Sequence, residues 1–350
     1  MFTTACTASA WNLPLPNMEN QTHVFVSGAS GFIGRSLCLE LAKRGFIVHA
    51  LCRDVQHPYL TRHGNIRYFK GDMLDKDSLL VAMQGCEQAY HTAALAKMWC
   101  KNPDDFYQAN VIGTRNVLET ARTAGIRRLV YTSTCGVWGP TVKYPMSEND
   151  PRIGGFPIHY ERTKHLAELE IRRFAGQGLP EVITVNPSRV FGEGPVTDSN
   201  TVGKMISGYL RGKWRLIPGS GEQVANYAYL DDVVQGHLAA MRSGKNGERY
   251  ILGGEDISFN DFFARLSALS GHTHRLFRVP LPVIKAYSWF EWFKTKMTGL
   301  PPVFLPEFAD RLSKDQKYSS RKAIRELGYH ITPFSEGLKN TIEDLKKHQK

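Results

Sequence analysis

The 350-residue sequence predicts an α/β fold. A doubly wound parallel sheet is covered by helices on both sides and followed by a smaller, mainly helical C-terminal part. Three observations predict it. Strand-like and helix-like segments alternate from residue 22 to Pro187. The strand-like segments are too apolar to leave one face in water, so helices must cover both faces. Beyond Pro187, the residues Gly192, Gly194, Pro195, Gly219 and Gly221 cut the chain into short pieces, and the C-terminal stretch reads mainly as helix. Crossovers between parallel strands are expected to be right-handed.

The first element carries the most information. His23-Val24-Phe25-Val26-Ser27 reads as a strand, Gly28-Ala29-Ser30-Gly31-Phe32-Ile33-Gly34 as a tight turn, and 32–44 as a helix. Glycines spaced three apart between a strand and a helix allow a pyrophosphate to approach the backbone, where the peptide N–H groups of the helix start face it. An ordinary strand–helix turn is the plainer alternative. The legible strand before the glycines and helix after them favour a dinucleotide site formed by Gly28, Ser30, Gly31, Phe32, Ile33 and Gly34.

Further strands follow in order. Phe46 to Cys52 is the second and Ile66-Arg67-Tyr68-Phe69 the third. Ala89-Tyr90-His91-Thr92 ends the fourth, Leu129 to Ser133 forms the fifth, and Glu181 to Val185 the sixth. Helical patterns lie between them at 32–44, 75–84, 104–124 and 158–176. The stretch 226–252 is expected to return to the sheet side. The resulting division places a Rossmann-type dinucleotide-binding domain at 22–188 and 226–252 and a substrate-binding cap at 189–225 and 253–348. Residues 1–21 contain Trp11, Pro14 and Pro16, no Lys or Arg, and no apolar core of a signal peptide. They read as a flexible extension.

Composition narrows the function. With 42% hydrophobic and 22% charged residues, the chain can bury a substantial core. No apolar run approaches the ~20 residues that span a bilayer. The six cysteines are scattered without metal-ligand spacing, which suits reduced thiols, a cytoplasmic setting and no metal site. The net charge of +11 is spread along the chain, and no nucleic-acid-binding motif accompanies it. Nucleic acid is therefore not an expected partner; a small molecule is.

Tyr160-Glu161-Arg162-Thr163-Lys164 is the second chemical feature. On a helix, residues four apart share a face, so the phenol and the ammonium point the same way. A nearby ammonium, together with the positive charge of an oxidised nicotinamide, favours phenolate, so the Tyr160 pKa is expected to fall toward the working range. Taken alone, such a pair is usually a solvated helix face. Its position matters, because it follows the fifth strand by one loop. That strand runs into Thr132-Ser133-Thr134-Cys135-Gly136, placing a hydroxyl at the carboxyl edge of the sheet, where ligands bind in open α/β folds. There it can polarise a carbonyl.

The glycine turn, the set Thr134, Tyr160 and Lys164, the run Asn186-Pro187-Ser188-Arg189-Val190-Phe191-Gly192 and the closing Lys322-Ala323-Ile324-Arg325-Glu326-Leu327-Gly328-Tyr329 together resemble an extended short-chain dehydrogenase/reductase, from about residue 22 to about residue 345. The resemblance implies that Thr134 hydrogen-bonds substrate, with Ser133 as fallback. It also implies that Tyr160 donates or accepts the proton, that Lys164 orients the cofactor, and that Asn110 supports the site. Asp72 and Met73 resemble the adenine-contacting pair. Ala93, in His91-Thr92-Ala93-Ala94, and Pro187 are the remaining cofactor candidates; His91 has no catalytic role in this reading.

NAD-binding relatives usually place an acid at the end of the second strand, where Cys52-Arg53 stands here. A guanidinium pairs with a 2′-phosphate, so NADP is expected, with Arg35 as a second cation. NAD stays open because Asp54 lies one residue further on.

Cys135-Gly136 replaces the Asp-Glu of the family's dehydratases, so dehydration is not expected. The run around Asn186 resembles dihydroflavonol-reductase-like and 3β-hydroxysteroid-dehydrogenase-like members. Reversible hydride transfer between NADP(H) and a secondary alcohol or ketone is the reading. The alternatives are a nucleotide-sugar epimerase that uses the same residues and a non-catalytic cofactor-binding protein.

Leu281 to Leu300 reads as a helix with a broad apolar face containing Trp289, Phe290, Trp292 and Phe293. It is expected to pack the cap onto the sheet domain. The sharper alternatives are the wall of a pocket for a sterol-, terpenoid- or phenolic-type ketone, or a membrane contact at 283–297. The loop 192–195 is expected to move over the cofactor. The resemblance further implies a homodimer formed through 104–124 and 158–176.

Overall fold

A computed structural model describes residues 22–197 and 199–347; the extension at 1–21 lies outside the described residues. The first half contains β1 (His23–Ser27), α1 (Phe32–Lys43), β2 (Ile47–Cys52), β3 (Ile66–Lys70), α2 (Lys76–Met83), β4 (Gln88–His91), α3 (Asp104–Tyr107), α4 (Gly113–Thr123), β5 (Arg128–Thr132), α5 (His159–Ala175) and β6 (Glu181–Pro187). The second half is less regular. It runs through β7 (Arg189–Phe191), α6 (Thr201–Leu210), β8 (Leu216–Pro218), β9 (Val224–Tyr229), α7 (Leu230–Ser243), β10 (Arg249–Leu252), β11 (Glu255–Ser258), α8 (Phe259–Ser270), β12 (Phe277–Val279), α9 (Leu281–Thr298), α10 (Pro306–Leu312), α11 (Arg321–Leu327) and α12 (Phe334–Lys347).

Seven strands form one parallel sheet in the order β3-β2-β1-β4-β5-β6-β10. The order reverses between β1 and β4, and this opens a crevice at their carboxyl ends. Successive side chains of a strand point to opposite faces. In β1, Val24 and Val26 enter the core beneath α1 and α7, whereas Phe25 enters the opposite core with Leu79, Val117, Leu129 and Ile171. Both faces are covered, as the apolar strands require.

Local chemistry shapes the helices. Asp75 caps α2 by accepting from the N–H groups of Asp77 and Ser78, and Ser258 caps α8 through Asp261 N–H. The expected helix over 104–124 forms as one continuous run with one departure: a π-turn at Gln108–Ile112 lies between α3 and α4. Such turns add a residue and often mark functional positions. Asn110 sits within it.

Two further expectations need correction. Residues 226–229 do not join the large sheet; β9 pairs with β7 and β11 in a separate three-stranded sheet, while α7 and β10 return to the large one. The helix α9 forms, but its apolar side chains neither pack the cap onto the sheet domain nor wall the cleft. Its buried residues are Ser288 and Glu291.

Two buried histidines link the sheet to its helices. His237 Nδ1 lies 2.7 Å from the Val233 carbonyl and Nε2 2.8 Å from Thr132 Oγ1. A carbonyl only accepts, so Nδ1 carries the proton. Burial holds His237 down at about 4 and His91 at about 3. Both stay neutral in the native state and charge on unfolding. Stability is therefore expected to decline as pH falls below about 6.5, their unfolded value, and to go on falling toward pH 4. Urea midpoints at descending pH measure this; a midpoint unchanged from neutrality to pH 5 would contradict it.

Candidate active site

A cleft of about 780 Å³ opens at the carboxyl edge of the large sheet. Its floor begins at the glycine turn, where Gly28, Ser30, Gly31, Phe32, Ile33 and Gly34 all line it. Gly28 has a φ of +76°, and a Cβ there would lie 2.7 Å from Ala93 N. A Cβ at Gly34 would collide with the Gly28 carbonyl oxygen. These positions admit only glycine, and they leave the bare cradle that a pyrophosphate requires.

Arg53 stands exposed at the end of β2 and lines the cleft, together with Asp72, Met73, Ala93 and Pro187. Asp54 does not line it: its carboxylate accepts from the Gln56 N–H at 2.9 Å and closes its own turn. Arg35, the expected second cation, is also absent from the lining. It points beneath the 192–195 loop, 3.2 Å from where a Gly194 Cβ would sit.

Thr134, Tyr160 and Lys164 line the other half of the same cleft. Lys164 is 1% exposed, and its ammonium donates to the Thr132 carbonyl at 2.7 Å and lies 4.2 Å above the Tyr131 ring. Burial lowers it to about 7, against the pull of Glu168. The protein's own residues do not supply the fall expected for Tyr160. Burial pushes its phenol up to about 12, and Glu161 reinforces this against Arg311.

Ser133 is unavailable as a fallback. Its hydroxyl donates to Glu168 Oε1 at 2.5 Å, and Asn186 Nδ2 donates to the same oxygen at 2.7 Å and to the Thr134 carbonyl at 3.1 Å. Arg249 lies 3.4 Å from Glu168 Oε2. This buried carboxylate thus anchors the end of β5 to α5, while the Thr134 hydroxyl accepts from Gly136 N–H at 3.2 Å and keeps its own proton to donate. The position of Glu168, four residues beyond Lys164, was a usable signal that sequence reading passed over.

Asn110 works from the π-turn. It accepts from Leu95 N–H at 2.7 Å and donates to Thr163 Oγ1 at 3.0 Å, tying the cleft wall to α5. His91 lies beneath the cleft, not in its lining, bonded to Ser27 and Thr114. The residues that replace the dehydratase pair are inert. The Cys135 thiol donates to the Asn186 carbonyl at 3.1 Å and is held well above its usual pKa by burial, and Gly136 packs against Glu161.

Arg189 and Arg311 complete the cleft at its far side. Both donate to Gln316 Oε1, at 3.2 and 3.1 Å. Arg311 also pairs with Glu161, whereas the partners of Arg189, Gln316 and Tyr227, are neutral. The site therefore holds more positive than negative charge. Sequence reading placed Arg189 only within the run from Asn186 to Gly192 and missed Arg311, which no motif marks.

A family model described as the NAD dependent epimerase/dehydratase family matches residues 24–253. The chain is 33% identical over 334 residues to a provisionally named dihydroflavonol 4-reductase of Synechocystis sp., covering 93% of this chain and 94% of that protein. It is 26% identical over 346 residues to the decarboxylating sterol-4-alpha-carboxylate 3-dehydrogenase of Homo sapiens, with 94% and 90% covered. Among solved structures, the UDP-glucose 4-epimerase of Thermotoga maritima superposes with a TM-score of 0.78 at 23% identity, covering 94% of this chain and 100% of that one. That likeness speaks for the fold alone. The glycine cradle, the sheet order and the family match agree: the chain belongs to the NAD dependent epimerase/dehydratase family, among the extended short-chain dehydrogenases/reductases.

Proposed function

We propose that the protein is an NAD(P)-dependent oxidoreductase that exchanges a hydride between NADP(H) and a secondary alcohol or ketone. One observation carries the reading: Thr134, Tyr160 and Lys164 line the same cleft as the glycine cradle. When bound, the dinucleotide supplies or takes the hydride. Residues 22–188 with α7 and β10 hold it, and the rest of the chain builds the substrate side. Arg53, at the end of β2 in the cleft lining, would pair with a ribose 2′-phosphate and so favours NADP, since Asp54 is spent on its own turn.

The side chains divide the remaining work. Thr134 donates a hydrogen bond to the substrate oxygen and fixes the carbonyl. Tyr160, protonated near neutrality, gives its proton to that oxygen as it becomes negative. Lys164, anchored on the Thr132 carbonyl, holds the ribose hydroxyls and balances the charge left on the phenol. Arg189 and Arg311 favour a substrate with an acidic substituent. The human relative's name, a sterol-4-alpha-carboxylate dehydrogenase, supports such a substituent on an apolar skeleton.

The epimerase reading uses the same three residues and differs in one observable, since it consumes no cofactor overall. Purified protein with NADPH and a panel of ketones, keto acids, keto esters and nucleotide sugars separates the two. The expected result is net NADPH oxidation with ketones, faster for the acid than for its ester. Conversion of a nucleotide sugar without NADPH loss would refute the reductase reading.

A further inference from the structure

The helix α9 is inside out. Its buried side chains are polar: Ser288 donates to the Lys285 carbonyl at 2.7 Å, and Glu291 accepts from Lys294 at 2.6 Å and from Val303 N–H at 2.9 Å. Its apolar side chains face outward. Tyr287, Trp289, Phe290, Phe293 and Met297 are between 47% and 73% exposed, and Val303 just beyond the helix is 71% exposed. Single exposed apolar residues are ordinary, but a run of large ones on one element marks a surface that another phase or partner covers.

We propose that α9 seats the protein on an anionic lipid bilayer. Charge selects this occupant. Between residues 272 and 305 stand Arg275, Arg278, Lys285, Lys294 and Lys296, against the single acid Glu291. Glu291 is buried and already paired with Lys294, and Lys285 pairs with Asp310 at 2.9 Å. Among the described residues, Arg275, Arg278 and Lys296 pair with no carboxylate, so the segment keeps positive charge, and Lys296 carries it on α9 itself. Trp, Tyr and Phe next to Lys suit the boundary between headgroups and acyl chains. The Lys296 ammonium lies 5.5 Å over the Trp292 ring, joining both features in one place. A second copy of the chain fits less well, because an isologous contact would set these cations against their own copies.

The helix lies on the bilayer and does not cross it. Among the described residues no helix is long and apolar enough to span a membrane. An 18-residue helix lying flat presents one apolar face about 27 Å long. The chain from α9 leads directly into α10, whose Phe308 and Arg311 line the cleft. Docking would therefore hold next to the lipid the helix that precedes α10, the source of two residues of the cleft lining. The seating itself does not depend on which substrate the cleft takes.

Flotation of the full-length protein tests the proposal, using vesicles of phosphatidylcholine with phosphatidylserine and of phosphatidylcholine alone. The protein is expected to float with the anionic vesicles, to release them in high salt, and to partition about tenfold or more weakly as Trp289→Ser/Phe293→Ser. Both positions are exposed, so thermal melting of the variant should match wild type. Three results would overturn the proposal: no flotation, equal flotation with neutral vesicles, or unchanged flotation of the variant. A concentration-dependent dimer that the same variant dissociates, without lipid binding, would assign the face to self-association instead.

Discussion

Tyr160→Phe is expected to lower kcat by about 10²–10⁴-fold while leaving NADPH affinity unchanged. The substitution deletes one hydroxyl and keeps the ring, so α5 and the cleft wall retain their packing. Only the proton donor is lost. Because burial pushes the Tyr160 phenol up to about 12, the wild-type enzyme should reduce ketones without loss of its donor across the neutral range. Oxidation of the alcohol needs the phenolate and should rise with pH instead. Stopped-flow turnover together with NADPH titration of the variant checks both halves. Retained turnover would show that another group delivers the proton.

The second large effect concerns the cofactor. Arg53→Ala is expected to weaken NADPH binding by about 10–100-fold, the equivalent of losing ~1.5–3 kcal/mol of charge-assisted hydrogen bonding. NADH affinity should stay as it was, since NADH carries no 2′-phosphate. Arg53 is exposed, so the fold should tolerate the change. Fluorescence titration with both dinucleotides measures the ratio. Equal losses for the two would remove the argument for NADP.

What the sequence reveals of this protein follows the range over which its signals act. The strand, glycine turn and helix from His23 to Lys43 are contiguous, and the pair Tyr160 and Lys164 lies on one helical turn. Pattern reading reaches both, and apart from Arg35 the residues it assigned to the cofactor and the catalytic set line one cleft. Signals that depend on burial escape it. Residue spacing places Lys164 near Tyr160 but does not show how far each is removed from water, so the upward push of burial on the Tyr160 phenol is not legible in it. Contacts between distant segments escape it too: Arg311 meets Glu161 across 150 residues of chain, and no motif connects them.

The π-turn at Asn110 and the route of β9 into a separate sheet have a common cause. Both are set by tertiary packing, which overrides an otherwise regular local pattern. The helix α9 shows the converse. Its apolar content was read as a core face, since amphipathic helices normally bury that stripe. Here the buried side is held by Ser288 and Glu291.

Deuterium transfer tests the central claim most directly. NADPH carrying deuterium at both C4 positions of the nicotinamide is incubated with the protein and a ketone that it turns over, and the product is analysed by mass spectrometry and NMR. The account predicts one deuterium on the new carbinol carbon for each NADPH oxidised, with the transfer abolished in Tyr160→Phe. Product that gains no deuterium, or that forms while NADPH stays intact, would contradict it.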